Sequence, residues 1–309
     1  MKENYNATKR QHFVPRVFLG GFSPDYVPGG KRNPQEVPFI WRFSSTDGEQ
    51  KYVPVTSVCY ENNLYEYTGK QGEYVLRNHL EKVLSQLESM FFEFRTNLEK
   101  KVCLESNLAT NCFLDNNEKD FWVHYVSQQI LRDPEVIEVA SELGRKILSE
   151  SLTEKQSRNI ALSFCVPYLR KMNENTEEAK VFCGIAAPMR DSDYHVIYDK
   201  NGGFVTGRHP VYIEAKVSPN EGVEYYDLVV FPISAQICMV LTKKKGKSYR
   251  NRLHLGNDIC GKDVLYWLSQ RNEEIFSNHK LSEKEIEIIK GEKEPDGQAN
   301  QDKVKNALD

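Results

Sequence analysis

Arg10-Gln11-His12-Phe13-Val14-Pro15 sets an imidazole among a guanidinium, an amide and a proline. Imidazole titrates near neutrality and serves as general acid or base, and Arg10 or Gln11 would orient a polar substrate beside it. Pro15 pushes Val14 into extended backbone, so the chain around His12 is held in one conformation. The same residues also read as an anchor, with His12 bonded to a neighbouring loop and Phe13, Val14, Phe18 and Leu19 in the core. Further on, His124, Gln128 and Arg132 recur every four residues, which makes one polar stripe on a helix beside Phe121 and Tyr125. Arginine's planar fork suits a phosphate or carboxylate. Arg132 would otherwise cap its helix or pair with a carboxylate of the helix before it.

Glu81 and Glu88, seven apart and continued by Arg95, form one edge of a long helix, placed to meet Arg132 or His12 or else to face water. A metal role for them would need oxygen or nitrogen ligands from other segments, such as Glu61 or His12. Arg208 and His209 fall in a turn between strands, where a plain surface turn is the alternative to a role in a site. If they converge with His12, two imidazoles and a guanidinium suffice for metal-independent phosphodiester cleavage. One imidazole would take the 2'-hydroxyl proton, the other would protonate the leaving oxygen, and Arg132 or Arg208 would stabilise the charge. The run Lys243-Lys244-Lys245-Gly246-Lys247-Ser248-Tyr249-Arg250-Asn251-Arg252 holds six basic residues in ten. Lys244, Lys245 and Arg250 would hold a nucleic-acid backbone electrostatically, or the run is a solvated hairpin tip.

Other chemistry is missing from the pattern. Gly29-Gly30-Lys31 and Gly20-Gly21 match no phosphate-binding loop, and there is no Rossmann pattern and no Gly-x-Ser-x-Gly elbow. Seven cysteines without a Cys-x-x-Cys pair or zinc-finger histidine spacing fit reduced thiols. No metal site and no cofactor are expected. With 41 Lys+Arg against 44 Asp+Glu, the net charge of −3 supplies no global field, so RNA or DNA would need a local patch. The N-terminus lacks the order of a signal peptide and no apolar run reaches the roughly 18 residues of a membrane span. The expected location is cytoplasmic.

The elements that must position these groups follow from periodicity. Residues 20–72 are rich in turn formers, with short strands at 39–43, 52–55 and 64–67. From Glu73 to Lys101, Leu76, Leu80, Val83, Leu84, Leu87, Phe91, Phe94 and Leu98 keep helical spacing. A second helix runs from Asn117 or Glu118 to Asp133, stopped by Pro134. Two more are expected over 135–150 and 153–172, the latter opened by a Thr153-Glu154-Lys155-Gln156 capping box. Beyond Asp191 the pattern becomes that of strands at 194–198, 203–206, 211–213, 225–231 and 237–241, with Asp199 to Gly203 as a hairpin turn. Helices over 258–276 and 282–290 precede a polar tail with too little apolar surface to order itself.

In their order and spacing these residues resemble the bacterial domain-of-unknown-function 4238 family. Its members open with a basic residue, His-x-x-Pro and a hydrophobic run to Phe, here Lys9-Arg10-Gln11-His12-Phe13-Val14-Pro15 through Phe18, Leu19 and Phe22. The likeness continues in Glu81 and Glu88, in Gln128, Arg132 and Pro134, in Phe204 to Val211, in Phe231-Pro232-Ile233-Ser234, and in the helix led by Asn257. It spans most of residues 8–275. One departure concerns chemistry: the family's Ser-Asp-x-Pro is Gly207-Arg208-His209-Pro210 in this chain, so the acidic group is absent there. The resemblance carries no established activity, and a toxin or phage-defence setting comes from it alone.

The expected fold is α+β, with a helical middle region, a C-terminal mainly antiparallel sheet and short N-terminal strands. The divisions are 1–72 (motif and short strands), 73–190 (helical), 191–290 (mixed sheet with closing helices) and 291–309 (tail). Two functions are carried forward. One is a nuclease-like effector with His12, Arg132 and His209 catalytic and Arg10, Gln11, Glu88, His124, Gln128, Lys244, Lys245 and Arg250 binding substrate. The other is a non-catalytic sensor or adaptor acting through a protein partner or a second copy of itself.

Overall fold

A computed structural model describes residues 9–29, 36–104, 113–148, 151–165, 177–218, 222–245, 251–255 and 259–292. Strand β1 (Arg10–His12) pairs antiparallel with β4 (Tyr60–Asn62), opposing Gln11 to Glu61. The one-turn α1 (Arg16–Leu19) follows directly, and Phe18 stacks on Phe231 with ring centroids 5.4 Å apart. The Ala235 N–H donates to the Gly21 carbonyl at 3.0 Å, so the N-terminal motif is fastened to the C-terminal half.

β2 (Phe39–Ser44) pairs with β3 (Gln50–Pro54), and the small β5 (Tyr67–Thr68) with β6 (Tyr74–Val75). α2 (His79–Leu104) begins later than its apolar spacing indicates, because Leu76 and Asn78 take left-handed φ of 51° and 56°. It buries Leu80, Leu84, Leu87, Phe91 and Leu98. α3 (Asn116–Leu131) opens with a capping box in which the Asp115 side chain accepts from Glu118 N–H. It is buried from Phe121 through Gln129, as a helix enclosed on all sides must be. Arg132 caps it, and Pro134 opens α4 (Pro134–Leu148) at the first helical position, where the missing N–H costs nothing.

α5 (Glu154–Cys165) begins at the expected Thr153–Gln156 box, with Gln156 N–H on Thr153 Oγ1 at 3.3 Å. The expected continuation to 172 falls outside the described residues. α6 (Glu177–Arg190) was not read from the sequence, where Gly184 and Pro188 mask its pattern.

β7 (Ser192–Tyr198), β9 (Tyr212–Ser218), β10 (Gly222–Pro232), β11 (Ile237–Lys243) and β12 (Asn251–Leu255) form a sheet in the order β12-β7-β11-β10-β9, parallel only between β12 and β7. Side chains alternate between two core faces. Val229, Phe231, Met239 and Leu241 pack with the helices and the N-terminal motif, whereas Val230, Cys238 and Val240 pack with α7 (Gly261–Ser269). The fold class is therefore α+β as expected.

Three local readings need correction. The 258–276 helix ends at Ser269, and β13 (Glu274–Ser277) inserts between β2 and β8 (Thr206–Gly207). Asn272 donates to the Leu268 carbonyl at 2.8 Å and stops the helix, while Ile275 and Phe276 keep a spacing that a helix would also show. The Asp199 to Gly203 turn forms, with Gly202 at φ +72°, but it joins β7 to β8 in different sheets and so makes no hairpin. The basic run begins on the last residue of β11 and ends on Asn251 and Arg252, the first two residues of β12, which pairs with β7 and not with β11. The closing α8 (Glu283–Ile289) lies within the expected 282–290, and residues 293–309 of the tail lie outside the described residues.

Candidate functional site

Five distant segments meet at the corner between α3 and α4. Arg132, only 1% exposed, donates to the His12 carbonyl at 2.5 Å, to Tyr65 Oη at 3.3 Å and to Glu88 Oε1 at 3.3 Å. The Tyr65 hydroxyl donates in turn to the Arg132 carbonyl at 3.0 Å. The guanidinium thus ties the His-x-x-Pro strand to α2 and α3, and truncating it would strand several buried groups at once. Gln11 is fully buried, its amide donating to Glu66 at 2.8 Å and its oxygen accepting from Tyr65 N–H at 2.7 Å. That peg leaves no end of Gln11 for a substrate.

The His12 ring lies 5.7 Å from Tyr60 and hydrogen-bonds the Thr56 backbone, while its Nε2 is buried without a protein partner. Burial, then the charges of Arg16, Arg132 and Arg10, push its pKa down to about 4, against the pull of the Thr56 bond. The imidazole is therefore neutral at pH 7. Glu81 moves the other way: burial raises its carboxyl to about 7, Arg132 opposes and Glu88 assists. Glu88, with a side chain 29% exposed, is also raised by burial against the pull of Arg132. Glu81 Oε2 and Tyr125 Oη are buried without partners, as are both amide atoms of Gln129. Gln129 shares the α3 face of Tyr125 and Arg132, four residues after one and three before the other. An unmet buried polar atom costs about 1–3 kcal/mol, so these groups weigh against the stability that the Arg132 clamp provides.

On the other side of the corner, Asp133 is 8% exposed and accepts Glu135 N–H at 2.9 Å, the N-cap of α4. Its second oxygen lies 2.5 Å from His209 Nδ1, and His209 Nε2 lies 3.4 Å from Glu135 Oε1. Buried Asn272 holds the backbone of the turn, accepting from His209 N–H at 2.6 Å and donating to its carbonyl at 3.1 Å. Arg208 rests over the Phe13 ring at 4.8 Å and reaches Glu61 at 3.6 Å. Of these residues Glu61, Glu135 and Arg208 line a cleft of about 320 Å³, together with Pro134, Glu138, Glu142, Arg145, Glu154 and Arg158 among others.

Asp133, Glu135 and His209 offer ligand atoms within 4.8 Å of one another, the one grouping of that kind found among the described residues. Two carboxylates and an imidazole suit a divalent cation. The direct 2.5 Å contact, however, is that of an imidazole N–H on a carboxylate, and an ion bound between them would have to displace that proton.

His12 and Arg132 therefore meet through backbone and guanidinium, whereas His209 joins the same corner through Asp133. His124 points elsewhere, packed 4.9 Å from Phe182 of α6 with its pKa pushed down to about 4 by burial and then Arg190. Gln128 is buried and Arg10 is exposed over the Tyr60 ring at 4.8 Å. The basic run starts at the opposite end of β11 from the corner. Lys245 N–H bonds Asp193 at 3.3 Å, Lys243 lies 3.6 Å from the Tyr225 ring, Lys244 sits beside them, and Arg250 is outside the described residues. Six residue steps of strand place Lys243 about 20 Å from Ile237 and the Ser234 to Gly21 junction.

Sequence reasoning passed over Asp133, Glu135, Tyr65 and Asn272. The signal for Asp133 was there, since Asp before Pro is both an N-cap residue and a helix start.

No helix among the described residues is long and apolar enough to cross a membrane. No curated protein and no solved structure matches the chain. The family described as "Protein of unknown function (DUF4238)" matches residues 10–280, from the first strand of the motif past β13, and the chain belongs to that family.

Proposed function

We propose that this protein is a phosphodiester hydrolase whose general base is His209. The observation that carries the reading is the Asp133–His209 pair, whose imidazole lies 3.4 Å from Glu135 of the cleft lining and next in sequence to Arg208, also of that lining. Asp133 accepts the Nδ1 proton and so fixes the tautomer; Nε2, 3.4 Å from the exposed Glu135 carboxylate, takes a proton from an attacking water, and that carboxylate then faces the imidazolium. The water oxygen bonds phosphorus, the ester oxygen leaves, and the imidazolium returns the proton to it. Arg208 and Arg145 supply positive charge for the phosphoryl oxygens. His12, neutral and turned to Tyr60 and Thr56, supports the fold of the site and takes no proton in this scheme.

Five glutamates against three arginines on the cleft lining disfavour a long polyanion. A volume of about 320 Å³ is that of a small-ligand pocket, so a single phosphodiester or a chain end fits this reading better than a duplex. The nuclease-like role expected from the sequence narrows accordingly. The test is cleavage of bis(p-nitrophenyl) phosphate, dinucleotides and total RNA, with and without chelator. Asp133→Asn keeps the N-cap, and it and His209→Gln are expected to lower the rate by about 10²- to 10⁴-fold. Undiminished cleavage by His209→Gln, or no cleavage of any substrate, ends the proposal.

One observation favours the adaptor reading. Val139, Leu143 and Ile147 on α4 are 57%, 48% and 77% exposed at four-residue spacing, an apolar stripe fit for a partner surface. Ile147→Glu would reduce self-association measured by sedimentation if that stripe joins two copies.

A further inference from the structure

The imidazole at the corner between α3 and α4 has a second nitrogen that the Asp133 contact does not use. With Nδ1–H held by Asp133 at 2.5 Å, Nε2 faces Glu135 Oε1 at 3.4 Å. That separation is long for an imidazole N–H on a carboxylate, where about 2.7–2.9 Å is usual. It matches instead the edge of a tetrahedron, since two ligand atoms each about 2.1 Å from one zinc ion stand about 3.4 Å apart. A histidine that binds metal almost always gives its other ring N–H to a carboxylate or carbonyl, which fixes the tautomer and the ring plane. Asp133 does this for His209, and Asn272 holds the His209 backbone at both its N–H and its carbonyl.

We propose that His209 Nε2 and Glu135 Oε1 bind a zinc-class divalent cation, with Asp133 as the positioning carboxylate behind the ring. An ion in this place leaves the Asp133 hydrogen bond intact, unlike one set between Asp133 and His209. The nitrogen donor decides the class, because Mg²⁺ and Ca²⁺ take oxygen ligands whereas imidazole suits Zn²⁺. The surroundings attract a cation. Glu135 has a side chain 69% exposed and lines the cleft, whose lining carries five glutamates against three arginines. The α4 N-terminus opposes the ion with roughly half a positive charge, which the two carboxylates of Asp133 and Glu135 exceed. The remaining coordination positions open to the cleft, for water or an anion. The ion and a proton compete for Nε2, so zinc inhibits wherever His209 acts as base. That consequence rests on the hydrolase reading, and the binding does not.

The experiment is isothermal titration of the full chain with Zn²⁺, after accessible thiols are blocked with N-ethylmaleimide because Cys183 is exposed. Co²⁺ replaces Zn²⁺ in a second arm, where intense visible absorption reports tetrahedral coordination. His209→Gln should abolish the binding of one ion per chain, and Mg²⁺ in about tenfold excess should not displace that ion. Asp133→Asn retains the N-cap and should weaken binding by about 10- to 100-fold. Glu135→Gln, at an exposed side chain, leaves the fold intact, which circular dichroism checks, and should weaken binding by about tenfold or more. Binding that is absent at submillimolar Zn²⁺, or that survives His209→Gln unchanged, overturns the proposal. So do a Glu135→Gln variant that binds like the parent and displacement by Mg²⁺. Binding is read without substrate, so it stands or falls apart from hydrolysis. Undiminished cleavage at saturating Zn²⁺ would refute the competition for Nε2.

Discussion

Replacing Glu81 by Gln tests the electrostatics around the Arg132 guanidinium with little change of side-chain shape. In the folded chain burial lifts the Glu81 carboxyl to about 7 from an ordinary value of 4.5. A carboxyl whose folded pKa is raised binds its proton more tightly when folded. Its contribution is thus intact below pH 4.5 and is lost as pH climbs to about 7. At 1.36 kcal/mol per unit, this displacement corresponds to about 3 kcal/mol, which solvent access to a partly exposed side chain reduces to about 1–2 kcal/mol. His12 acts in the opposite window. Its folded value of about 4 lies below 6.5, so it costs stability as pH falls from 6.5 towards 4. That effect is common to parent and variant and cancels in their difference. Urea unfolding at half-unit steps from pH 4.5 to 8.5 measures the difference directly. Relative to the parent, Glu81→Gln should gain about 1–2 kcal/mol between the two ends of the range, with the midpoint between pH 5 and 7. A difference that stays flat across that range would falsify the assigned environment of Glu81.

Arg132→Met should lower unfolding free energy by about 3–5 kcal/mol, because it leaves Tyr65, the His12 carbonyl and the inner oxygen of Glu88 without their donor. A loss under 1 kcal/mol in denaturant titration would contradict the clamp. Two glycines give opposite signs. A Cβ on Gly261 would stand 2.1 Å from the Gly203 carbonyl oxygen, so Gly261→Ala should destabilise by about 1–3 kcal/mol. Gly144, inside α4 with nothing within 4 Å, should gain about 0.5–1 kcal/mol as Ala, read from the thermal midpoint.

Much of the fold was legible because its physics is local. The stripe from Leu80 to Leu98 is periodic, Thr153 to Gln156 is a self-contained cap, and the buried strands are rich in β-branched residues. β13 was illegible for the converse reason: four residues become a strand only because β2 and β8 flank them. α6 was hidden by residues that weaken helices in isolation and are tolerated when packed on α3 and β10. In the site, the sequence offered Arg132 as one of several surroundings for Glu88, beside His12 and open water, and periodicity alone could not choose among them. It could not show that the guanidinium would be spent on His12's backbone and not its ring. Nor could it show that Asp133, 76 positions away, would hold His209.

The late insertion of β13 also bears on how the chain is made. Trp41 to Ser44 pair with Glu274 to Ser277, and Arg42 forms an ion pair with Glu274. During synthesis the N-terminal hairpin must wait for more than two hundred residues before its neighbour leaves the ribosome. At roughly 5–20 residues per second that interval is on the order of 10–50 s, with an unpaired β2 edge available to any passing strand. Nascent chains should therefore engage holdase chaperones until residues 274–277 are translated and released, and truncations before residue 274 should aggregate although they retain most of the helical core.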